Sequence, residues 1–226
     1  MSIRCVLFDI DNTLYSYDAA HAVAFAKLTA FAGERLGLSA AEFQALHRRT
    51  NEVLKGRMGE VAAVHNRLIR YQNMMEELGE DLKIALEMNE LYWGTLLEAA
   101  RPTPGAAETL RELHRRGIRV GIGTDMTARL QFLKLERLGL LEYVHFLVSS
   151  EEAGAEKPDP LLFNRCVEKA GVPAEQCLFV GDSLDKDARG AAQCGLRGLW
   201  FNPGRKKLLT EVPQVGTLQE LFQQLD

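Results

Sequence analysis

The first acidic residues of the chain, Asp9 and Asp11, directly follow the short run Arg-Cys-Val-Leu-Phe at residues 4–8. If this run forms a β-strand, successive side chains alternate in direction, so both carboxylates point the same way while Ile10 points into the core. Carboxylates held this close repel each other, and a bound divalent cation relieves the repulsion. Ligand sets made only of oxygen atoms suit Mg²⁺. The acid pair therefore predicts a magnesium site at the end of a strand.

Further polar side chains follow three later apolar runs, each at the point where the run ends. These residues are Thr124 and Asp125, then Lys157, then Asp182, Asp185 and Asp187. In an open parallel sheet, ligands bind outside the carboxyl ends of the strands. We therefore expect these groups, although far apart in sequence, to converge on the first acid pair.

The converging residue types are suited to phosphoryl transfer. A bound metal ion holds a phosphoryl oxygen and spreads its charge. Lys157 would add a second positive centre, and Thr124 would donate a hydrogen bond to the transferring group. One aspartate is then free to attack phosphorus, and its neighbour can protonate the leaving alcohol.

The elements that must position these residues alternate along the chain. Apolar runs predict buried strands at 4–8, 118–124, 144–149 and 177–180, with a weaker fifth at 196–201. Helical patterns separate them, from Thr103 as N-cap to Gly117, Thr127 to Gly139, Pro158 to Gly171 and Leu184 to Gly195. Such alternation predicts an α/β fold, a Rossmann-like parallel sheet flanked by helices.

Residues 16–97 break this alternation, because they contain no strand pattern and read as consecutive amphipathic helices. Ser39 and Glu42 predict a capping box at the start of the second of these helices. The third and fourth helices are expected at about 60–79 and 81–99. We therefore predict an all-α domain at 16–97, inserted into an α/β core domain made of 1–15 and 98–226.

The segment Asp9-Ile-Asp11-Asn-Thr13-Leu resembles the signature of the haloacid dehalogenase-like (HAD) hydrolases. Three later segments look like the second, third and fourth motifs of that family, in the right order: Thr124, then Lys157, then Gly181-Asp182-Ser-Leu-Asp-Lys-Asp187. Each motif is short, but the ordered set is specific and spans essentially the whole chain. The resemblance implies a HAD-like core with the helical cap of the first subfamily, in its phosphatase branch.

The resemblance implies a role for each matching residue. Asp9 would be the nucleophile and a metal ligand. Asp11 would serve as general acid and then as general base, and its backbone carbonyl would contact the metal. Thr124 and Lys157 would bind the phosphate.

The fourth motif completes the metal site that the resemblance implies. Asp182 would be a direct ligand, and Asp187 would act through the waters of the metal or by holding Lys157. The expected Mg²⁺ ligands are Asp9, Asp11, Asp182 and Asp187. The resemblance implies no role for Asp185, which we expect to cap the following helix.

Two positions bear on the branch of the family. Asp125 stands where the family often has asparagine, and an acid beside a phosphate is unfavourable, so we exclude Asp125 from the phosphate-binding residues. Dehalogenating members lack an acid at the position of Asp11, because a leaving halide needs no proton. The presence of Asp11 therefore favours phosphoryl transfer.

Composition excludes several functional classes. The formal net charge is −4 without a long run of one sign, which argues against binding of a nucleic-acid polymer. No apolar run approaches the roughly 18 residues of a membrane span, and no signal peptide is visible. The four cysteines form no C-x-x-C pair, so we expect free thiols. We predict a cytoplasmic protein that acts as a monomer or homodimer, away from membranes.

The inserted helices carry basic residues whose role the sequence leaves open. Those that could contact a substrate are Lys55, Arg57, Arg67 and Arg70, although for each a solvated helix face is the simpler explanation. The larger apolar and aromatic residues of the same segment are predicted to lie in its core, namely Met58, Met74, Met75, Tyr92 and Trp93.

These features favour hydrolysis of a small phosphorylated metabolite, a nucleotide or a sugar phosphate, through an aspartyl-phosphate on Asp9. A phosphomutase is one alternative, because it would pass the same phosphoryl group to another hydroxyl and would require an activating sugar bisphosphate. A non-catalytic binding protein on the same fold is another. The intact acid pair and Lys157 argue against that second alternative.

Overall fold

The chain divides into an α/β unit of Met1–Ser16 and Arg101–Asp226 and a helical unit of Tyr17–Ala100. A computed structural model describes residues 2–59, 61–206, 208 and 210–225. The boundary predicted at residue 97 falls inside the last helix of the helical unit, which continues to Ala99, so this unit ends later than predicted. Within the described residues, none of the helices combines the length and apolarity that a membrane span requires.

The helical unit consists of α1 (Tyr17–Leu36), α2 (Ala40–Met58), α3 (Arg67–Leu78) and α4 (Leu82–Ala99), with a short 3₁₀ turn at Ala62–His65. The predicted capping box of α2 is present, since Ser39 Oγ accepts from the backbone of Glu42 and the Glu42 carboxylate accepts from the backbone of Ser39. The predicted start of the third helix, Glu60, lies outside the described residues. Helix α3 begins at Arg67. The Asn66 side chain caps this helix by accepting a hydrogen bond from the backbone N–H of Leu68 at 3.1 Å.

Most of the large side chains that the sequence predicts for the core of the helical unit are buried there. Four of the residues predicted to lie there are buried, and Met58 is half-buried; the four are Met74, Met75, Tyr92 and Trp93. Lys55 and Arg57 are exposed, as a solvated helix face requires. That interpretation is wrong for Arg67 and Arg70, which are buried. The helical period places both on the inner face of α3, together with Tyr71 and Met74.

One parallel sheet forms the centre of the α/β unit. Its strands are β1 (Cys5–Phe8), β2 (Arg119–Thr124), β3 (Phe146–Ser149), β4 (Cys177–Gly181), β5 (Arg197–Phe201) and β6 (Gln214–Val215). The strand order is β3-β2-β1-β4-β5-β6, and every neighbouring pair runs parallel. The predicted fold class, a Rossmann-like parallel sheet with an inserted helical segment, is confirmed. Only the two-residue β6 was not predicted, because so short a strand has no recognisable period.

Burial explains why the central strands are continuous apolar runs. All residues of β1 and β4 are buried, and a parallel strand covered on both faces needs apolar side chains on both sides. Gly121 and Gly123 in β2 allow close packing of the neighbouring side chains. A Cβ atom at Gly121 would lie 2.4 Å from the ring of Phe146, and one at Gly123 would lie 2.7 Å from the ring of Phe179.

Helices connect the strands at positions close to those predicted. They are α5 (Ala106–Arg115), α6 (Ala128–Arg137), α7 (Ser150–Ala153), α8 (Pro160–Ala170) and α9 (Gly190–Gln193), the last preceded by a wide π-helical turn at Leu184–Arg189. The prediction of Thr103 as the N-cap of α5 is wrong, because Gly105 occupies that position with a φ of 81°. The Thr103 hydroxyl instead donates to the carbonyl of Thr13 at 2.8 Å and ties the loop after β1 to the start of α5. The four cysteines are free thiols.

Candidate active site

The first acid pair lies where β1 ends, and the chain turns directly after it. The backbone N–H of Asp9 donates to the carbonyl of Val180 at 3.0 Å, so Asp9 is still held by the pairing between β1 and β4. The backbone N–H of Leu14 donates to the carbonyl of Ile10 at 2.9 Å and closes the turn. Asp9 is buried at this position, whereas Asp11 is half-buried.

A buried lysine connects the first strand to the fourth motif. Lys157 Nζ donates to Asp9 Oδ1 and to Asp187 Oδ1, each at 2.7 Å. All three residues are at most 6% exposed. Burial by itself would lower the pKa of Lys157, but the charges of Asp187 and Asp9 raise this pKa well above its usual value. Lys157 is therefore a fixed positive charge between two carboxylates.

Three carboxylates gather beside this lysine. Oxygen atoms of Asp9, Asp182 and Asp187 all lie within 4.8 Å of one another, close enough to share one metal ion. Burial, helped by the charges of Asp187 and Asp11, raises the pKa of Asp9 to about 8, although Lys157 acts in the opposite direction. Burial and the charge of Asp187 likewise raise the pKa of Asp182 to about 6. The cluster thus holds more negative charge than Lys157 compensates, and its oxygen-only donor set fits a hard divalent cation.

Thr124 lies at the end of β2 and is held by a residue that the sequence analysis missed. The amide nitrogen of Gln131 in α6 donates to Thr124 Oγ1 and to the carbonyl of Asp125, each at 2.8 Å. The carboxylate of Asp125 accepts from the backbone N–H of Lys157 at 2.9 Å and from Lys186 Nζ at 3.2 Å. Asp125 therefore anchors the loop that carries the buried lysine.

Asp11 has two partners of its own, and the sequence analysis identified neither of them. Lys134 Nζ in α6 donates to both oxygens of the Asp11 carboxylate, at 2.7 and 2.8 Å, and the Tyr15 hydroxyl donates to Oδ1 at 2.7 Å. A signal for Lys134 was present, because Gln131, Lys134 and Leu135 share one buried face of α6. Two polar residues on the buried face of a helix indicate polar partners inside the protein.

The fourth motif differs from the prediction at one residue. Asp185 does not cap the following turn, because Ser183 Oγ does so by accepting from the backbone N–H of Lys186 at 3.1 Å. Asp185 is exposed and pairs with Arg189 at 2.6 Å. Asp187 is buried, and its Oδ2 accepts from the backbone N–H of Ser183 at 2.9 Å, which fixes the orientation of its carboxylate.

The predicted site residues are therefore connected to different degrees. One connected group consists of Asp9, Lys157, Asp182 and Asp187. The Asp11 carboxylate is bound by Lys134 and Tyr15 and is not among the oxygens of the three-carboxylate cluster described above. Thr124 is linked to Lys157 through Asp125. The site therefore combines the buried carboxylate of Asp9, the carboxylate of Asp11 with its separate partners, and the fixed positive charge of Lys157.

The sequence of this chain is similar to the sequences of several known proteins. Residues 3–195 match the model of the haloacid dehalogenase-like hydrolase family. The chain is 36% identical over 212 residues to the ribulose-1,5-bisphosphate 5-phosphatase of Halopiger xanaduensis, with 91% of this chain and 87% of that protein covered. It is 35% identical over 199 residues to the glyceraldehyde 3-phosphate phosphatase of Methanopyrus kandleri, with 86% of this chain and 82% of that protein covered.

A solved structure extends the comparison to the fold. The HAD-hydrolase YfnB of Bacillus subtilis, in a crystal form bound to magnesium, superposes with a TM-score of 0.73 and 26% sequence identity. The superposition covers 100% of both chains. The similarity therefore includes the helical unit as well as the α/β unit.

Proposed function

This chain belongs to the haloacid dehalogenase-like hydrolases, and from that premise we propose that it is a Mg²⁺-dependent phosphatase of a small sugar phosphate. It would act through an aspartyl-phosphate on Asp9. The observation that carries the proposal is the different environment of the two carboxylates after β1: Asp9 is buried against Lys157, and Asp11 is half-buried with Lys134 and Tyr15. Two carboxylates in different environments can take two different roles in one reaction.

Asp9 is the proposed nucleophile. Lys157 occupies Oδ1, and no residue in the described part of the chain hydrogen-bonds to Oδ2, which leaves that atom to attack phosphorus. A bond forms between Asp9 Oδ2 and phosphorus while the bond from phosphorus to the alcohol oxygen breaks. Lys157 keeps Asp9 oriented and compensates part of the negative charge that gathers at the phosphoryl group.

Asp11 is the proposed acid and base. It gives its proton to the oxygen of the leaving alcohol and later takes one from the water that attacks phosphorus and frees Asp9. Lys134 and Tyr15 hold both oxygens of its carboxylate in one orientation. They are positioning residues, because they act on the reaction through Asp11.

Thr124 is proposed to bind the phosphoryl group together with Lys157. Gln131 donates to Thr124 Oγ1, so the hydroxyl hydrogen remains available to an acceptor. Its present acceptor is the carbonyl of Asp125 at 3.3 Å, a long contact that a phosphoryl oxygen could replace. The side chain is already oriented by Gln131, so little ordering is needed when substrate binds.

Asp9, Asp182 and Asp187 would hold Mg²⁺, with the backbone carbonyl of Asp11 as a further ligand. Support comes from their mutual distances, from the raised pKa values of Asp9 and Asp182, and from the magnesium bound to the similar protein YfnB. When bound, the ion would draw charge from a phosphoryl oxygen and reduce its repulsion with Asp9.

The sugar-phosphate class is proposed from the relatives. Two proteins similar to this chain over most of their length are phosphatases of ribulose 1,5-bisphosphate and of glyceraldehyde 3-phosphate. A phosphomutase would differ in requiring a sugar bisphosphate as activator. A binding protein would differ in releasing no phosphate at all.

Phosphate release from a panel of sugar and nucleotide phosphates, with Mg²⁺ or with EDTA, tests the proposal. We expect metal-dependent release, fastest from a sugar phosphate, and its loss in Asp9→Asn. Asp185→Asn is the matched control, because it removes an exposed acid of the fourth motif that pairs with Arg189 and not with Lys157. Release that persists in Asp9→Asn would contradict the nucleophile assignment. Release only in the presence of a sugar bisphosphate would indicate a mutase.

A further inference from the structure

The helical unit contains two buried arginines that have no acidic partner among the residues that the structure describes. Arg67 and Arg70 lie one turn apart on α3, and each is only 7% exposed. In the described part of the chain, neither forms an ion pair with a carboxylate. A buried charge is costly unless an opposite charge compensates it. An anion bound beside the two arginines would supply the opposite charge.

The neighbours of Arg67 orient its guanidinium but do not neutralise it. The guanidinium donates to the Tyr17 and Tyr92 hydroxyls, the latter at 2.7 Å. Its central carbon lies 4.2 Å from the centre of the Tyr92 ring and 5.2 Å from that of Trp93. Aromatic faces and hydroxyls attract a cation and leave its full charge in place. The Nε atom of Arg67 is buried and has no hydrogen-bond partner among the described residues.

Arg70 is in a similar position beside a neutral histidine. Its Nη1 lies 3.3 Å from His47 Nε2, and its own Nε has no partner in the described part of the chain. Burial, followed by the charges of Arg70 and Arg67, lowers the pKa of His47 to about 3, so His47 is neutral near pH 7. Burial and the charge of Arg67 also lower the pKa of Arg70 to about 10. Burial is the main cause of both shifts, and the positive charge of the neighbouring arginines adds to it.

We propose that this arginine cluster, made of Arg67 and Arg70 with Tyr17, Tyr92, His21 and His47, is a binding site for an oxyanion. Its ligand is a phosphate or carboxylate group of a small molecule. Two planar guanidinium groups with free Nε–H donors match the oxygen atoms of such groups, and charge-assisted hydrogen bonds of this kind are strong. Tyr17, His21 and His47 are only half-buried, so solvent reaches the edge of the cluster, whereas the two Nε atoms lie buried inside it.

Two sources could supply the oxyanion. One is a second anionic group on the substrate, an identification that rests on the proposed phosphatase function. The other is a separate anionic ligand. Both share the chemistry that the arginine cluster recognises, and two experiments test the site and then distinguish the sources.

The first experiment follows the arginine Nε–H signals in nitrogen–proton correlation spectra of the isotope-labelled full chain during titration with sulfate. Sulfate is a tetrahedral oxyanion and not a substrate. We expect the Arg67 and Arg70 signals, assigned with Arg67→Lys and Arg70→Lys, to shift in a saturable way before the signal of the exposed Arg48 moves. Arg70→Met should abolish the Arg67 shift, and Arg48→Met should leave it unchanged. Shifts that appear only together with that of Arg48 would overturn the proposal.

The second experiment measures kcat/KM for a sugar bisphosphate and for the monophosphate that lacks its second phosphate. If the substrate supplies the oxyanion, Arg70→Met lowers the value for the bisphosphate at least tenfold more than that for the monophosphate. If Arg70→Met changes kcat/KM equally for the bisphosphate and the monophosphate, the oxyanion comes from a separate ligand. Arg48→Met removes the same charge from an exposed position and should change neither value. If no phosphate is released at all, the proposed function fails, and the sulfate titration still decides the arginine site.

Discussion

The two units of the chain bury opposite excesses of charge. In the α/β unit, Asp9, Asp182 and Asp187 surround one buried lysine, so negative charge is in excess. In the described part of the helical unit, Arg67 and Arg70 are buried with tyrosines and neutral histidines, so positive charge is in excess there. A protein maintains uncompensated buried charge only at some cost in stability. The two proposed binding sites, for a cation in the first unit and for an anion in the second, rest on these two imbalances.

The largest effect should come from removing Lys157, which pairs with two acids of the acidic cluster. Lys157→Met leaves Asp9 and Asp187 buried without their shared partner. We expect kcat to fall at least about 10³-fold, and the free energy of unfolding to fall by about 3–5 kcal/mol, as for other broken buried pairs. Steady-state kinetics and chemical unfolding measure the two changes. If the variant is active and equally stable, Lys157 does not compensate the negative charge of this cluster.

A smaller effect on kcat is expected when Asp11 is retained but the residue that positions its carboxylate is removed. Lys134→Met removes both hydrogen bonds from Lys134 to the Asp11 carboxylate. We predict that kcat falls by roughly 10–100-fold, a part of what general acid–base catalysis contributes, with KM little changed. Partial recovery in Lys134→Arg would separate positioning from packing, whereas a change confined to KM would contradict the role.

The acidic cluster should make the stability of the protein depend on pH and on Mg²⁺. The folded pKa of Asp9 is raised from 3.8 to about 8, and that of Asp182 is raised to about 6. The folded state therefore holds these protons more tightly than the unfolded chain, and stability in EDTA should fall as pH rises from about 4 to about 8. Mg²⁺ should raise Tm more at pH 8 than at pH 5, which thermal unfolding across pH measures. A metal effect that does not depend on pH would argue against this carboxylate cluster as the metal site.

In the helical unit, loss of a buried charge should stabilise the protein. Arg70→Met replaces a buried guanidinium, which has no acidic partner among the described residues, by a shorter, unbranched apolar side chain. We expect Tm in buffer without oxyanions to rise by roughly 2–8 °C, since such replacements stabilise by about 1–2 kcal/mol and each kcal/mol shifts Tm by about 2–4 °C at this size. Arg48→Met is the control at an exposed position. A lower Tm would show that Arg70 is a structural residue and not a ligand-binding one.

The sequence predicted the site residues best where they directly follow the strands of the sheet. The apolar runs predicted β1 to β5, and the polar residues after them predicted Asp9, Lys157, Asp182 and Asp187 as neighbours, because parallel strands bring their carboxyl ends to one edge. The sequence was less informative for side chains that act from helices. Lys134 and Gln131 lie on the buried face of α6, where the direction of a long side chain depends on tertiary packing.

The arginine cluster was missed for a different reason. Charged residues on an amphipathic helix usually face solvent, so the sequence favoured that interpretation for Arg67 and Arg70. Their spacing matched the buried face of α3, shared with Tyr71 and Met74, but an uncompensated buried charge cannot be recognised without the surrounding residues. The exposed Lys55 and Arg57 show that the same interpretation held one helix earlier.

Trapping of the covalent intermediate tests the central claim most directly. The enzyme is mixed with Mg²⁺ and its best sugar phosphate, quenched during turnover and treated with borohydride, which reduces an aspartyl-phosphate to homoserine. Peptide mass spectrometry should then find homoserine at Asp9, dependent on substrate and metal, and unmodified aspartate at Asp182 and Asp187. Phosphate release without any conversion at Asp9, or with conversion at another aspartate, would contradict the account.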